Sequence, residues 1–153
     1  MVERLPRQRQ SFLSGVLDQL RFQENHKMED VIYDKKEQLE KIRSALLREE
    51  RVEAVFDLKG VGTGFLGITS HRIIFYDKAF LRKIKAMVSI PYSRIHSIAS
   101  EDEAGLITGR GFFASSKLLI TTSHGDHDFE FRGADKAHIA HDLILGHMLK
   151  ANA

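Results

Sequence analysis

Hydrophobic residues along this chain change their spacing twice. Early on they recur every three or four positions. In "SFLSGVLDQLRF", Phe12, Leu13, Val16, Leu17 and Leu20 line one face of a helix, with Ser11 placed to cap it. A polar break, "QENHK", leads to "MEDVIYDKKEQLEKIRSALLREE", where Ile32, Leu39, Ile42 and Leu46 form a stripe among charges. Glu37 and Lys41 stand at i and i+4, the favourable order for a solvated pair on a helix. The pattern predicts helices over Ser11–Phe22 and Glu29–Glu50. The second stripe spans too few turns for a long coiled coil, so its partner is another helix or a sheet face.

From Arg51 the spacing shortens to two. "RVEAVFDL" puts Val52, Ala54, Phe56 and Leu58 on one face of a strand. "FLGITS" and "RIIFYD" follow, rich in β-branched and aromatic residues. "MVSIPYSRI" and "IHSIAS" read as further strands, with Pro91 suited to an edge or a bulge. "EDEAGLITGRG" reads as a connection, and "FFASSKLLITTS" with "HDFEFR" as a last hairpin across "HGD". Helical spacing then returns in "GADKAHIAHDLILGHMLKA", with Ile139, Leu143 and Met148 as burial candidates. Two helices, about seven short antiparallel strands and a closing helix predict a small sandwich or partly open barrel capped at one end.

One motif argues for different chemistry. Gly62, Gly64 and Gly67 spell G-x-G-x-x-G. A dinucleotide fingerprint works only as strand, glycine turn and helix, because the helix N-terminus supplies the amides that hold the pyrophosphate. Here Phe65 to Thr69 and Arg72 to Tyr76 continue as strands. The glycines therefore serve a hairpin that needs positive φ and close backbone approach. A P-loop is excluded as well, since no Gly-Lys-Ser/Thr follows the second glycine.

Composition narrows the class. A chain of 153 residues is about one domain, and 42% hydrophobic with 29% charged residues is ordinary for a folded soluble protein. No apolar run approaches the roughly 18 to 20 residues of a membrane span, and no signal peptide is read at the start. Cysteine is absent, which removes disulfides, thiolate metal sites and a cysteine nucleophile. The cytoplasm is the simplest compartment. A net charge of +2 is too small to name a nucleic-acid partner, and aromatics interleaved with basic residues for base stacking are lacking.

Three clusters are candidates for chemistry. His124, Asp126, His127 and Asp128 lie in "SHGDHDFE", and His138, His141, Asp142 and His147 in "KAHIAHDLILGH". Such ligands suit zinc or manganese, so a metal-dependent hydrolase is the alternative reading. The first group falls where a hairpin turn is needed, and the second has no glutamate to complete H-E-x-x-H, which favours solvated turn and helix surface. The other cluster is basic. Lys78, Arg82, Lys83 and Lys85 accompany Phe80, Leu81 and Ile84 between two strands, with Asp77 as the one acid nearby. Apolar groups among basic ones suit an anionic membrane surface or an acidic partner protein.

"RVEAVFDLKG...GFLGITSHRIIFYDK...VSIPYSRIHSIAS" resembles the bacterial pleckstrin-homology-like (PH-like) domains. The similarity rests on the turn Thr69-Ser70-His71-Arg72, the aliphatic-aromatic strand after it and the strand Ile90-Pro91-Tyr92-Ser93-Arg94-Ile95. It spans roughly Glu50 to Leu149. The resemblance implies a strongly bent seven-stranded antiparallel sheet capped by the C-terminal helix. It makes residues 50–151 a PH-like domain and residues 1–49 a helical extension. It also implies a non-enzymatic module without a cofactor, and several bacterial members resemble ring-forming or otherwise oligomeric proteins. In eukaryotic relatives lipid phosphates bind between the first two hairpin loops, which here hold Lys59 and the cluster Lys78, Arg82, Lys83 and Lys85. "DLKGVGTG" departs from that pattern, lacking the dense basic residues of phosphoinositide binders. The expected protein is a homo-oligomeric binding module without nucleic-acid partners, its nine surplus apolar side chains on the early helices available to a second subunit.

Overall fold

The computed structural model describes residues 31–60, 64–77, 86–103 and 115–153. Helix Ser11–Phe22 and the cluster Lys78, Arg82, Lys83 and Lys85 lie outside the described residues. The first elements are β1 (Ile32–Tyr33), α1 (Lys36–Arg43), β2 (Val52–Asp57), β3 (Phe65–Thr69), β4 (Arg72–Asp77) and β5 (Ala86–Pro91). A single 3-10 turn, Tyr92–Arg94, leads into β6 (Ile95–Glu103), β7 (Ser115–Thr122), β8 (Gly125–Arg132) and α2 (Lys136–Ala151). All of them belong to one compact unit, Ile32–Ala153.

The strands form two sheets, β1-β2-β3-β4-β5 and β6-β7-β8. Every pairing is antiparallel except β1 with β2, which run parallel with Ile32 opposite Ala54. Beyond β2 an isolated bridge between Leu58 and Phe131 ties the first sheet to the second. Alternation decides what each sheet buries. Ala54, Phe56, Leu66, Ile68, Ile73 and Phe75 point inward from the first sheet, and Leu118, Ile120, Phe129 and Phe131 from the second. Aromatic edges interlock there, Phe75 with Phe129 and Phe56 with Phe131 at centroid separations of 5.1 and 5.6 Å. Helix α2 closes the remaining opening with Ala137, Ala140, Ile144 and Met148, a stripe at helical spacing.

The outer face of the first sheet has its own small core. Val55, Gly67 and Ile74 share one row across β2, β3 and β4. Helix α1 lies over that row with Leu39 and Ile42 buried. A Cβ on Gly67 would sit 2.7 Å from Ile42 Cδ1, so the missing side chain is what lets the helix seat.

Several expectations change. Among the described residues, the helix expected over Glu29–Glu50 covers Lys36–Arg43. Ahead of it, Ile32 and Tyr33 pair with β2, and the Asp34 carboxylate accepts the Asp57 N–H at 2.8 Å. After it, Glu49 takes a positive φ of 65° and the Glu50 carboxylate accepts the Leu47 N–H. The helical run itself ends earlier in tighter turns, where the Ala45 and Leu46 N–H groups donate to the Ile42 and Arg43 carbonyls three residues back. Ile32, expected on the helical stripe, is therefore an exposed strand residue, whereas Leu39 and Ile42 pack on their own sheet. Eight strands are described rather than seven, in two sheets joined by one bridge, where a single bent sheet forming a small sandwich or partly open barrel was expected. Strand β6 runs three residues into the expected connection. The last hairpin turns one residue early, at Ser123–His124, with Gly125 at φ +129° closing it. In α2, Ile139 and Leu143 are only partly buried.

Candidate functional site

The motif residues converge on a buried polar knot. Glu50 has a fully buried side chain, and Arg72 reaches both of its oxygens, Nε to Oε1 at 3.0 Å and Nη2 to Oε2 at 3.1 Å. The same guanidinium donates to Ser89 Oγ and to the Ala45 carbonyl. Thr69 Oγ1 donates to Glu50 Oε1 at 2.6 Å and accepts the N–H groups of His71 and Arg72. The Tyr92 hydroxyl donates to the Thr69 carbonyl. Burial opposes ionisation of Glu50, but bonds from Arg72, Leu47 and Thr69, together with the Arg72 charge, hold its pKa down to about 2. Burial, reinforced by the charge of Glu53, pushes the Tyr92 phenol well up. His147 stacks on the Tyr92 ring at 4.6 Å and meets Glu53 Oε2 at 2.8 Å, which fixes the last turns of α2 to the 3-10 turn. "TSHR" and "IPY-x-x-I" thus carry a scaffold.

At the opposite end of the strands the chemistry is different. Lys59 Nζ donates to Glu130 Oε1 at 2.8 Å, and the Lys59 N–H donates to the Glu130 carbonyl. The lysine holds the Glu130 carboxyl below its usual range. The groove beside them, about 480 Å³, is lined also by Glu101, Lys117, Leu119 and Asp128. Carboxylates outnumber lysines in it, so Lys59 already has an anion. Nearby, Gln38 and Lys35 reach the two oxygens of buried Asp57 at 2.6 and 3.0 Å, lowering its pKa against the effect of burial.

The histidines do not converge. His124 contacts Ser123 in the turn, His127 tilts against Phe75, His138 meets Ser100, and His141 meets Asp142. Among the described residues no three His, Cys, Asp or Glu side chains are placed to hold a metal ion. The glycine loop joins β2 to β3 as an antiparallel hairpin, with no helix N-terminus after it. Calorimetric titration with NAD, NADP and ATP is therefore expected to give no binding heat; a micromolar constant for any of them would contradict the strand-turn-strand geometry.

Two bent sheets around one core, closed by a C-terminal helix, define a PH-like domain. The chain is similar to the crystal structure of a pleckstrin homology domain from Shewanella amazonensis SB2B, with 25% identity and a TM-score of 0.51. The match covers 76% of this chain and 99% of that one. The GRAM domain model matches residues 20–153, and the chain belongs to the GRAM domain family. No curated protein matches it. GRAM and PH-like domains are in general non-catalytic binding modules. Among the described residues no helix is long and apolar enough to cross a membrane.

Proposed function

We propose that this chain is a non-catalytic binding module that works as a homo-oligomer. It engages an acidic protein or an anionic membrane surface through the connection between β4 and β5. The observation that carries the reading is the composition of that connection. Lys78, Arg82, Lys83 and Lys85 occur there with Phe80, Leu81 and Ile84, and no acid falls between Lys78 and Met87. Basic residues supply attraction to an anionic surface, and the apolar ones supply burial once contact is made. Lys59 contributes less than the sequence suggests, because Glu130 neutralises it.

Changing Arg82, Lys83 and Lys85 together to glutamate tests the reading. Stability is expected to change by less than about 0.5 kcal/mol, as for surface charges in general. Co-sedimentation with vesicles rich in phosphatidylserine, or capture of acidic partner proteins, is expected to fall at least about tenfold, most strongly at low salt. If neither is altered, the connection is only solvated surface and the proposal fails.

A further inference from the structure

Two surfaces of this domain complement each other in charge. The first is the end where Ala45, Arg72, Tyr92 and His147 are linked by the Arg72–Ala45 bond, the Tyr92–Arg72 contact and the Tyr92–His147 stack. The segments that converge there expose Arg48, Arg51, Arg94 and Lys150, none of which forms an ion pair among the described residues. They also expose Leu47 and Leu149, at 60% and 66% the most exposed large hydrophobics described. The second surface is the outer face of β6-β7-β8. Asp126 and Asp128 stand on it two residues apart, with Leu119 opposite Asp128 and 38% exposed. Glu101, Lys117 and Glu130 form the next row, where Glu130 is also bound to Lys59. Asp126, Asp128 and Glu101 form no ion pair among the described residues, so the face keeps an excess of negative charge.

We infer that a second copy of this chain is the occupant of each surface: the arginine-bearing end of one copy seats on the Asp126–Asp128 face of the next. This rests on the homo-oligomeric reading above and supplies its contact. Charge sets the orientation, with the end's arginines able to grip carboxylates in a fork. Leu47 or Leu149 supplies an apolar anchor over Leu119. Because two different patches meet, the contact is heterologous and propagates as a ring or a filament rather than a two-fold dimer. It also uses residues other than the connection between β4 and β5.

Light scattering of the full chain and of charge-reversed variants tests this. The intact chain is expected to be larger than a monomer near about 100 μM in low salt and to shrink in high salt. Arg51→Glu with Arg94→Glu, or Asp126→Lys with Asp128→Lys, is expected to weaken association at least about tenfold. Mixing the two variants, or combining all four changes in one chain, is expected to restore it. The neutral pair Arg51→Gln with Arg94→Gln should weaken association without any reversal of charge. If the intact chain is monomeric, this contact and the homo-oligomeric reading fall together. If it is larger but the reversals leave its size unchanged, or if the mixture stays dissociated, only the contact falls. Loss of vesicle binding in the Arg51 and Arg94 variants with no change in size would assign that end to membrane instead, overturning the inference.

Discussion

Arg72→Ala is expected to destabilise the domain by about 3–5 kcal/mol, the usual result of removing one partner from a buried ion pair. The Glu50 side chain is fully buried and the Arg72 side chain only 15% exposed, so water cannot replace the lost partner. The change also strands Ser89 Oγ and the Ala45 carbonyl, both served by the same guanidinium. Glu50→Gln with Arg72→Met should cost less than Arg72→Ala alone, because neither leaves an unpaired charge in the interior. Urea denaturation of the three proteins measures this; a loss under about 1 kcal/mol for Arg72→Ala would show the knot to be solvated. Acid makes an independent test. The Glu50 pKa is near 2 in the fold against an ordinary 4.5, a depressed value. Its contribution, on the order of 3 kcal/mol, is therefore fully present above about pH 4.5 and is lost as pH falls toward 2. The Glu50→Gln protein should lack that part of the acid sensitivity.

Gly67→Ala is expected to cost about 1–3 kcal/mol, an overpacking penalty. The added methyl would meet Ile42 Cδ1 at 2.7 Å and Cγ1 at 2.8 Å, and Ile42 is fully buried against the sheet. Ile42→Ala alone should cost about 2–5 kcal/mol by leaving a cavity. The two changes together should cost less than their sum, since the methyl at 67 then fills space that the isoleucine vacated. In the Ile42→Ala background, Gly67→Ala should be neutral or stabilising. Additive costs in that cycle would mean that α1 does not press on β3 at this point.

Much of this fold was legible in the sequence because one signal, the change from a spacing near 3.6 to 2 and back, is local. Strands β2 to β8 and helix α2 follow it closely. The misreadings came from distant partners. Nothing in "MEDVIYDKK" shows that Ile32 and Tyr33 will find β2 in parallel, or that Asp34 will take the Asp57 amide. Glu50 closes a charged run and looked like helix surface, yet Arg72, 22 residues on, draws it inside. The polar knot was visible only as motif residues, Thr69, Arg72 and Tyr92, whose task proves to be support. Of the residues expected to bind a ligand, Lys59 looked available until β8 placed Glu130 beside it. Its partner lies 71 positions away and no spacing rule reaches that far.

That separation also orders how the chain can assemble. Helix α1 and the hairpins β2-β3 and β3-β4 involve near neighbours and can form while the rest of the chain is still being synthesised. The junction of the two sheets cannot. Leu58 waits for Phe131, and Lys59 for Glu130, which lies 71 positions further on. Loop closure over such a distance is slow, and until it happens the inner face of the first sheet has no cover. A nascent or truncated chain ending before Arg132 would hold a folded half with its apolar side in water, the form most exposed to aggregation or to a chaperone.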